Sequence, residues 1–169
     1  EVMDELFLNK AVQHFEAAIQ HDPGFAQAYA GLAEAYMDLG YTFRDPAPLF
    51  AIARKAVNAA VAIGRTLPEA IIADGLLKFF FEWDWAGAEK ALDEAVRLDL
   101  SVVESNACYL HMLDVYGRGE EALRKVERAV ALHPSSLLIQ SELACAAYYA
   151  GLLDRAESYS RESLRNEPT

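Results

Sequence analysis

The sequence predicts an all-α protein made of stacked antiparallel helices, about nine in number. Three observations support this fold class. Apolar residues, mainly alanine and leucine, form 53% of the chain, glycine and proline are few, and small residues recur every 34 residues. Neither helix of such a repeat buries its apolar stripe alone, so neighbouring repeats must stack. We therefore expect a solenoid with one continuous core.

The repeat is clearest in the second helix of each unit. A small residue, a bulky residue and another small residue recur with spacings of four and three, as in Ala122, Val126 and Ala129. The equivalent triplets are Ala11, Phe15 and Ala18; Ala53, Val57 and Ala60; Ala88, Leu92 and Ala95; and Ala156, Ser160 and Ser163. Small residues let two helices approach closely while the bulky residue fills the gap between them. Each unit is therefore predicted to be a hairpin of two helices, A and B.

Helix-start and helix-stop signals divide the chain further. In order, we predict helices at residues 4–21, 25–39, 47–63, 68–82, 85–98, 102–116, 119–132, 136–150 and 153–165. Asp45 followed by Pro46 gives an N-cap with proline in the first turn, Asp84 caps the helix that carries Ala88, and Ser101 begins a capping box. Turns between helices A and B are expected at Gly40, Gly117 and Gly151.

A 34-residue unit of two helices, closed by a proline such as Pro23, Pro134 or Pro168, resembles the tetratricopeptide repeat. The resemblance implies a right-handed α-α superhelix and a single array over residues 1–169. The implied repeats are 1–25 (B helix only), 26–67 with an inserted turn at 41–48, 68–102, 103–136 and 137–169. The first helix is thus a B helix without its A partner.

The repeat is interrupted twice. Residues 41–48 exceed the repeat length, and the spacing from Ala53 to Ala88 is 35 because one extra residue enters, in our interpretation, at the turn 82–85. With this insertion, the aromatic run 79–85 resembles the C-terminal arrays of multidomain bacterial signalling proteins that carry winged-helix, class III adenylate cyclase or serine/threonine kinase domains. Because the sequence starts at Glu1 without an initiator methionine, we expect it to be part of such a protein.

The aromatic run has two interpretations. In the structural one, Trp83 and Trp85 wedge the widened turn while Phe79 or Phe81 fills the core. In the functional one, one or two of these aromatic residues form an exposed binding hot spot with Tyr41 and Phe43 from the insertion. Asp74 departs from the repeat pattern, because it falls where leucine is usual, and we expect it to be buried.

The resemblance also implies that the A helices line a concave groove. The groove positions that we select for partner binding are Gln27, Glu34, Asp38, Glu69, Phe79, Phe80, Glu104, His111, Asp114, Glu142, Tyr148 and Tyr149. Lys78 is the only basic residue on the A helices, whereas eleven of the fifteen basic residues lie on B helices. Such a groove favours a protein or peptide partner with basic or mixed apolar and basic character. The alternative is that the acidic surfaces are only solvated and keep the array soluble.

Charge and composition exclude several other functions. A net charge of −11 disfavours direct nucleic-acid binding, and no apolar run is long enough for membrane insertion. No cofactor, metal or catalytic motif is recognisable, so we predict that the protein is not an enzyme. Cys108, His111 and Asp114 share one helix face, but backbone amides within regular helices cannot supply an oxyanion hole.

Two other functions remain open from the sequence. The first helix carries more apolar residues than one neighbour can cover, which predicts a homodimer or docking edge formed by Leu6, Phe7, Val12, Phe15 and Ile19. A small-molecule sensor would instead use Phe79, Phe80, His111, Tyr148 and Tyr149 as its pocket. The sequence does not determine the compartment, although we favour the cytoplasm.

Overall fold

The computed structural model describes residues 5–98, 110–132 and 134–166. Every regular element within these ranges is helical. The chain divides into two compact units, unit 1 over Glu1–Leu98 and unit 2 over Asp99–Thr169. Each unit has its own set of packed helices.

Unit 1 contains five α-helices and one π-helical segment. They are α1 (Glu5–His21), α2 (Ala26–Thr42), α3 (Pro46–Ile63), α4 (Pro68–Leu77), the π-helical segment Lys78–Glu82 and α5 (Trp85–Leu98). Helix α2 packs against α1, α3 and α4, and α4 also packs against α5. This order matches the predicted alternation, in which α2 and α4 are A helices while α1, α3 and α5 are B helices.

The core of unit 1 follows the predicted pattern of small and bulky residues. Ala53, Val57 and Ala60 of α3 are completely buried, as is Leu92 of α5. Where α4 crosses α5, a Cβ atom at Gly75 would lie only 2.9 Å from Leu92 Cγ. Because helices pack this closely only through small residues, the recurring alanines and glycine set the distance between the A and B helices.

Unit 2 repeats this construction. Its described helices are α6, of which residues 110–115 are described, α7 (Gly119–Leu132), α8 (Leu137–Tyr149) and α9 (Leu153–Asn166). Helix α8 packs against both α7 and α9. Ala122, Val126 and Ala129 of α7 are buried as predicted. Gly119 lies so close to the end of α8 that a Cβ atom would stand 2.6 Å from the backbone nitrogen of Ala150.

Two of the predicted helix caps are confirmed. The Asp45 carboxylate accepts a hydrogen bond from the Ala47 amide at 3.2 Å, with Pro46 in the first turn of α3. The Asp84 carboxylate accepts one from the Gly87 amide at 3.0 Å at the start of α5. The capping box at Ser101 lies outside the described residues. Each carboxylate satisfies an amide that the first helical turn leaves without an intrahelical partner.

The turn glycines behave differently from one another. Gly117 and Gly151 have positive φ angles of 71° and 76° and end α6 and α8, as predicted. The prediction for Gly40 was wrong, because Gly40 is buried inside α2, where an added Cβ atom would lie 3.3 Å from Pro46 Cα. Helix α2 continues to Thr42 and α3 begins at Pro46, so most of the extra residues 41–48 lengthen two helices.

The single extra residue before Ala88 is also accommodated differently from the prediction. We placed it in the turn 82–85, but the structure contains a π-helical segment immediately before that turn, at Lys78–Glu82. The Trp83 amide donates to the Lys78 carbonyl, which closes a turn one residue wider than an α-helical turn. Within the part of the chain that the structure describes, no helix is both long and apolar enough to cross a bilayer.

Candidate functional site

The A-helix surface of unit 1 carries a line of polar and aromatic side chains on α2. Glu34, Asp38 and Tyr41 are four and three residues apart, which places them on one side of the helix. Glu34 and Asp38 are half-buried. Burial raises the pKa of the Asp38 carboxyl above its ordinary value. This line therefore combines acidic groups of reduced solvation with an aromatic residue at its end.

An exposed aromatic pair lies where α2 and the π-helical segment end. Tyr41 is 72% exposed and contacts Phe80 edge to face, with ring centroids 5.6 Å apart. Phe79 packs against Phe80 in the same manner at 4.9 Å. Exposed aromatic rings in contact with one another are typical of binding hot spots, since each offers a large apolar surface at low entropic cost. The Tyr41–Phe80 pair is thus a candidate anchor point.

The remaining aromatic residues of the run divide between core and surface. Phe81 packs against the unit 1 core and against Phe50, with ring centroids 3.8 Å apart, as the structural interpretation predicted. Trp83 does not wedge the turn, because its ring is 73% exposed. It lies 6.0 Å from the ring of Trp85, which is also exposed. The π-helical segment rotates the run so that Phe81 points inward while Phe80 and Trp83 point to solvent.

Asp74 has a structural explanation. It is half-buried rather than buried, and both of its carboxylate oxygens are paired. Arg54 Nη1 lies 2.7 Å from Asp74 Oδ1, and Lys78 Nζ lies 2.5 Å from Asp74 Oδ2. Arg54 Nε also donates to Glu82 at 2.8 Å, so one guanidinium bridges two acids that lie about two helical turns apart. This network compensates for an acid at a position that is usually leucine.

Unit 2 places three of the predicted groove residues together. Asp114 of α6 and Glu142 of α8 are each only 6% exposed. His111 Nε2 lies 3.2 Å from Glu142 Oε1, while both Asp114 oxygens and Glu142 Oε2 have no hydrogen-bond partner among the described residues. We refer to His111, Asp114 and Glu142 as the buried acidic cluster.

The buried acidic cluster has perturbed protonation. Burial, reinforced by the charge of Glu142 and opposed by that of His111, raises the pKa of Asp114 to about 6. The hydrogen bond to Glu142 raises the pKa of His111 above its ordinary value, with burial acting in the opposite direction. Perturbed carboxyl and imidazole groups that lie together are candidates for a functional site, because the fold does not by itself compensate their charges.

An open pocket lies between α8 and α9, and its lining includes Cys145, one helical turn after Glu142. Its volume is about 450 Å³, and most of its lining is apolar, including Cys145, Tyr149, Leu153 and Ala156. Tyr148 and Tyr149 are exposed at this pocket and contact each other edge to face. Sequence reasoning selected both tyrosines but missed the α9 residues, because we expected only A helices to contribute to binding.

The other predicted site residues are more scattered. Gln27 and Glu69 are exposed, whereas Glu104 lies outside the described residues. On the predicted edge, Leu6 and Phe7 are 61% and 59% exposed, but Val12, Phe15 and Ile19 pack into the unit 1 core. No three histidine, cysteine or acidic side chains among the described residues are placed to hold a metal ion. The exposed part of the predicted edge is therefore limited to the start of α1.

Comparison with known proteins identifies the class of fold. Residues 8–40 match the family model of the tetratricopeptide repeat, which covers most of α1 and α2. No curated protein matches the sequence. Several solved structures, by contrast, are similar over nearly the whole chain.

Three solved structures illustrate the likeness. PilW, described as a widely conserved type IV pilus biogenesis factor, has a TM-score of 0.74 and 20% identity, with 94% of this chain and 70% of PilW covered. A tetratricopeptide repeat protein of Thermus thermophilus has a TM-score of 0.71 and 21% identity, with 84% and 74% covered. YrrB, described as having an unusual peptide-binding site, has a TM-score of 0.63 and 18% identity, with 95% and 78% covered.

These findings confirm the predicted resemblance to the tetratricopeptide repeat and the predicted all-α solenoid fold class. At identities of about a fifth, the structural likeness extends to the fold and not to a particular partner. Stacked repeats of this kind present extended surfaces on which partners bind. The comparisons thus support the fold and leave the function to be inferred from the surfaces of this chain.

Proposed function

We propose that this protein is a non-catalytic scaffold that binds a peptide with alternating apolar and basic residues along the acidic surfaces of its A helices. In unit 1 the proposed binding surface is the line Glu34, Asp38 and Tyr41 on α2, together with Phe80 and the exposed Glu69 in the first turn of α4. In the wider context we propose that the scaffold is the partner-binding or regulatory arm of a larger bacterial signalling protein.

The observation that carries this proposal is the exposed Tyr41–Phe80 pair at the end of an acidic helix surface. Aromatic rings provide apolar anchoring, and nearby carboxylates select for positive charge and exclude acidic competitors. Lys78 is the single basic residue predicted on the A helices, and it is occupied by Asp74. The unit 1 surface therefore carries acidic charge that a basic partner complements.

A binding assay with a defined probe tests the proposal. The probe is a short fluorescent peptide of alternating lysine and leucine, and a glutamate–leucine peptide of equal length serves as the negative control. We expect Glu34→Lys combined with Glu69→Lys to weaken binding of the basic peptide roughly tenfold, which corresponds to about 1.4 kcal/mol. Tyr41→Ala should weaken it by a similar factor, because it removes the exposed half of the aromatic pair.

The control is Glu94→Lys, which makes one such charge reversal at an exposed position on the B helix α5 of the same unit. Its effect is compared with that of each single reversal, Glu34→Lys and Glu69→Lys, as well as with the double variant. Glu94→Lys should change the affinity less than twofold at moderate salt, since screening suppresses distant charges. If Glu94→Lys weakens binding as much as the double reversal on the A helices, only net charge matters and the proposed surface is wrong.

A further inference from the structure

Unit 2 contains more buried negative charge than its described residues compensate. Asp114 and Glu142 are both more than nine-tenths buried, and three of their four carboxylate oxygens lack a hydrogen-bond partner among the described residues. Removing a carboxylate from water without a partner costs several kcal/mol, so natural proteins rarely keep such groups for stability alone. These unpaired oxygens indicate a site that a cationic donor completes.

His111 supplies only part of the positive charge that the two carboxylates require. It contacts Glu142 at 3.2 Å, and its side chain is about half exposed, so it lies between the carboxylate and solvent. When protonated, it offers one positive charge to two carboxylates. A residual negative charge therefore remains beside Asp114, whose oxygens His111 does not reach by a hydrogen bond.

The open pocket between α8 and α9 lies on the same helix α8 that carries Glu142. Cys145 lines the pocket and lies one helical turn after Glu142. Glu142, Cys145 and Tyr149 are three and four residues apart, which places them on one face of α8. Burial raises the pKa of the Cys145 thiol, and the charges of Glu142 and Asp114 raise it further. The pocket is thus largely apolar, and its Cys145 and Tyr149 share a helix face with Glu142.

We propose that unit 2 binds a single arginine or lysine side chain of a partner protein in this pocket. The methylene stem lies against Cys145 and Tyr149, and the cationic head displaces His111 to pair with Glu142 and Asp114. Arginine fits best, because its planar fork carries five donors for the three open oxygens. This inference rests on the proposed function and deepens it by adding a second, independent anchor for a basic partner.

Titration with a minimal ligand tests the site directly. The probe is arginine capped as N-acetyl-arginine methylamide, and the matched control is the equally capped citrulline, which has the same shape without the charge. NMR signals of the His111 ring and the Tyr149 ring report binding to the full chain. We expect saturable shifts with the arginine probe and at least tenfold weaker binding of the citrulline probe.

Variants test whether the carboxylates of Asp114 and Glu142 bind the arginine probe. Asp114→Asn with Glu142→Gln keeps the shapes of both side chains and should weaken arginine binding at least tenfold. Glu162→Gln removes an exposed carboxylate of α9 that does not line the pocket and should change binding less than twofold. If the double variant does not fold, Cys145→Leu, which fills the pocket without altering charge, should abolish the shifts instead.

Two results would overturn the proposal: equal affinity for arginine and citrulline probes, or unchanged arginine binding in the charge-removal or pocket-filling variants. Failure here is distinguishable from failure of the proposed function. The lysine–leucine peptide is assayed through Glu34, Glu69 and Tyr41 of unit 1, and its dependence on those residues does not require the unit 2 pocket.

Discussion

The two units place acidic side chains in their interiors in different ways. In unit 1, Asp74 occupies a position that is usually leucine, and Arg54 and Lys78 pair with both of its oxygens. In unit 2, Asp114 and Glu142 are buried more deeply, and His111 is their one hydrogen-bonding cation among the described residues. The fold itself supplies the cations that stabilise Asp74. For Asp114 and Glu142, we infer that the missing cation comes from a bound partner.

The largest change in stability is expected from removing the two cations that pair with Asp74 in unit 1. Arg54→Met combined with Lys78→Met leaves Asp74 half-buried without a cation and should lower the free energy of unfolding by about 3 kcal/mol. We place the value at the lower end for a buried pair because Asp74 retains some contact with water. Thermal and urea unfolding measured by circular dichroism check this value.

Adding Asp74→Leu to that variant provides the control. Leucine is the residue that the repeat usually carries at this position, and an apolar replacement of a broken ionic network restores packing without a desolvation cost. Most of the lost stability should therefore return. A triple variant as unstable as the double one would show that Arg54 and Lys78 act through packing and not by compensating Asp74.

In unit 2, a substitution at a buried acid should increase the free energy of unfolding. The pKa of Asp114 is about 6 in the folded protein against 3.8 ordinarily, so the folded state retains its proton more tightly than the unfolded state. Stability therefore falls as pH rises from about 4 to 6 and stays reduced above that range. Asp114→Asn removes the penalty and should raise the free energy of unfolding at pH 7 by about 2 kcal/mol.

The pH profile separates this effect from a simple change in packing. In Asp114→Asn the decline between pH 4 and 6 should flatten, because the carboxyl that titrates in this range is gone, whereas the pKa values of His111 and Cys145 are raised above their ordinary values. His111 leaves a shallower decline above pH 6.5, since its folded pKa is also raised. Gain of stability together with loss of arginine binding is the signature of a residue kept for function. If the pH dependence of stability is unchanged in Asp114→Asn, Asp114 is not the group that causes the decline.

The sequence predicted the helices well because the repeat reports packing directly. Ala53, Val57 and Ala60 are buried as their spacing required, and the same holds for the triplet Ala122, Val126 and Ala129. Asp45 and Asp84 cap helices as predicted, since a cap depends on the few residues next to it. Local rules and short periodic patterns thus sufficed for the fold.

The insertions and the buried acidic cluster were harder to predict. An extra residue is accommodated equally well by a longer turn or by a π-helical segment, and the choice depends on how Phe81 packs against Phe50. His111, Asp114 and Glu142 were selected as groove positions, but their depth of burial depends on how α6 and α8 pack. Sequence spacing places residues on a helix surface and does not report how closely a second helix approaches.

The smallest effect concerns the turns between A and B helices, where the units differ again. Unit 2 uses Gly117 and Gly151 at positive φ, whereas unit 1 places Trp83 at φ 58°. Gly117→Ala should lower the free energy of unfolding by about 1 kcal/mol through backbone strain alone, because nothing lies within 4 Å of the added Cβ atom. Gly117→Asn should cost less, since asparagine tolerates this conformation. Urea unfolding distinguishes the two, and equal costs would point to a lost contact in place of strain. In unit 1 the backbone strain of a positive φ angle is present at Trp83, whose indole ring is exposed to solvent. In unit 2 glycine adopts the same conformation without strain but has no side chain to expose.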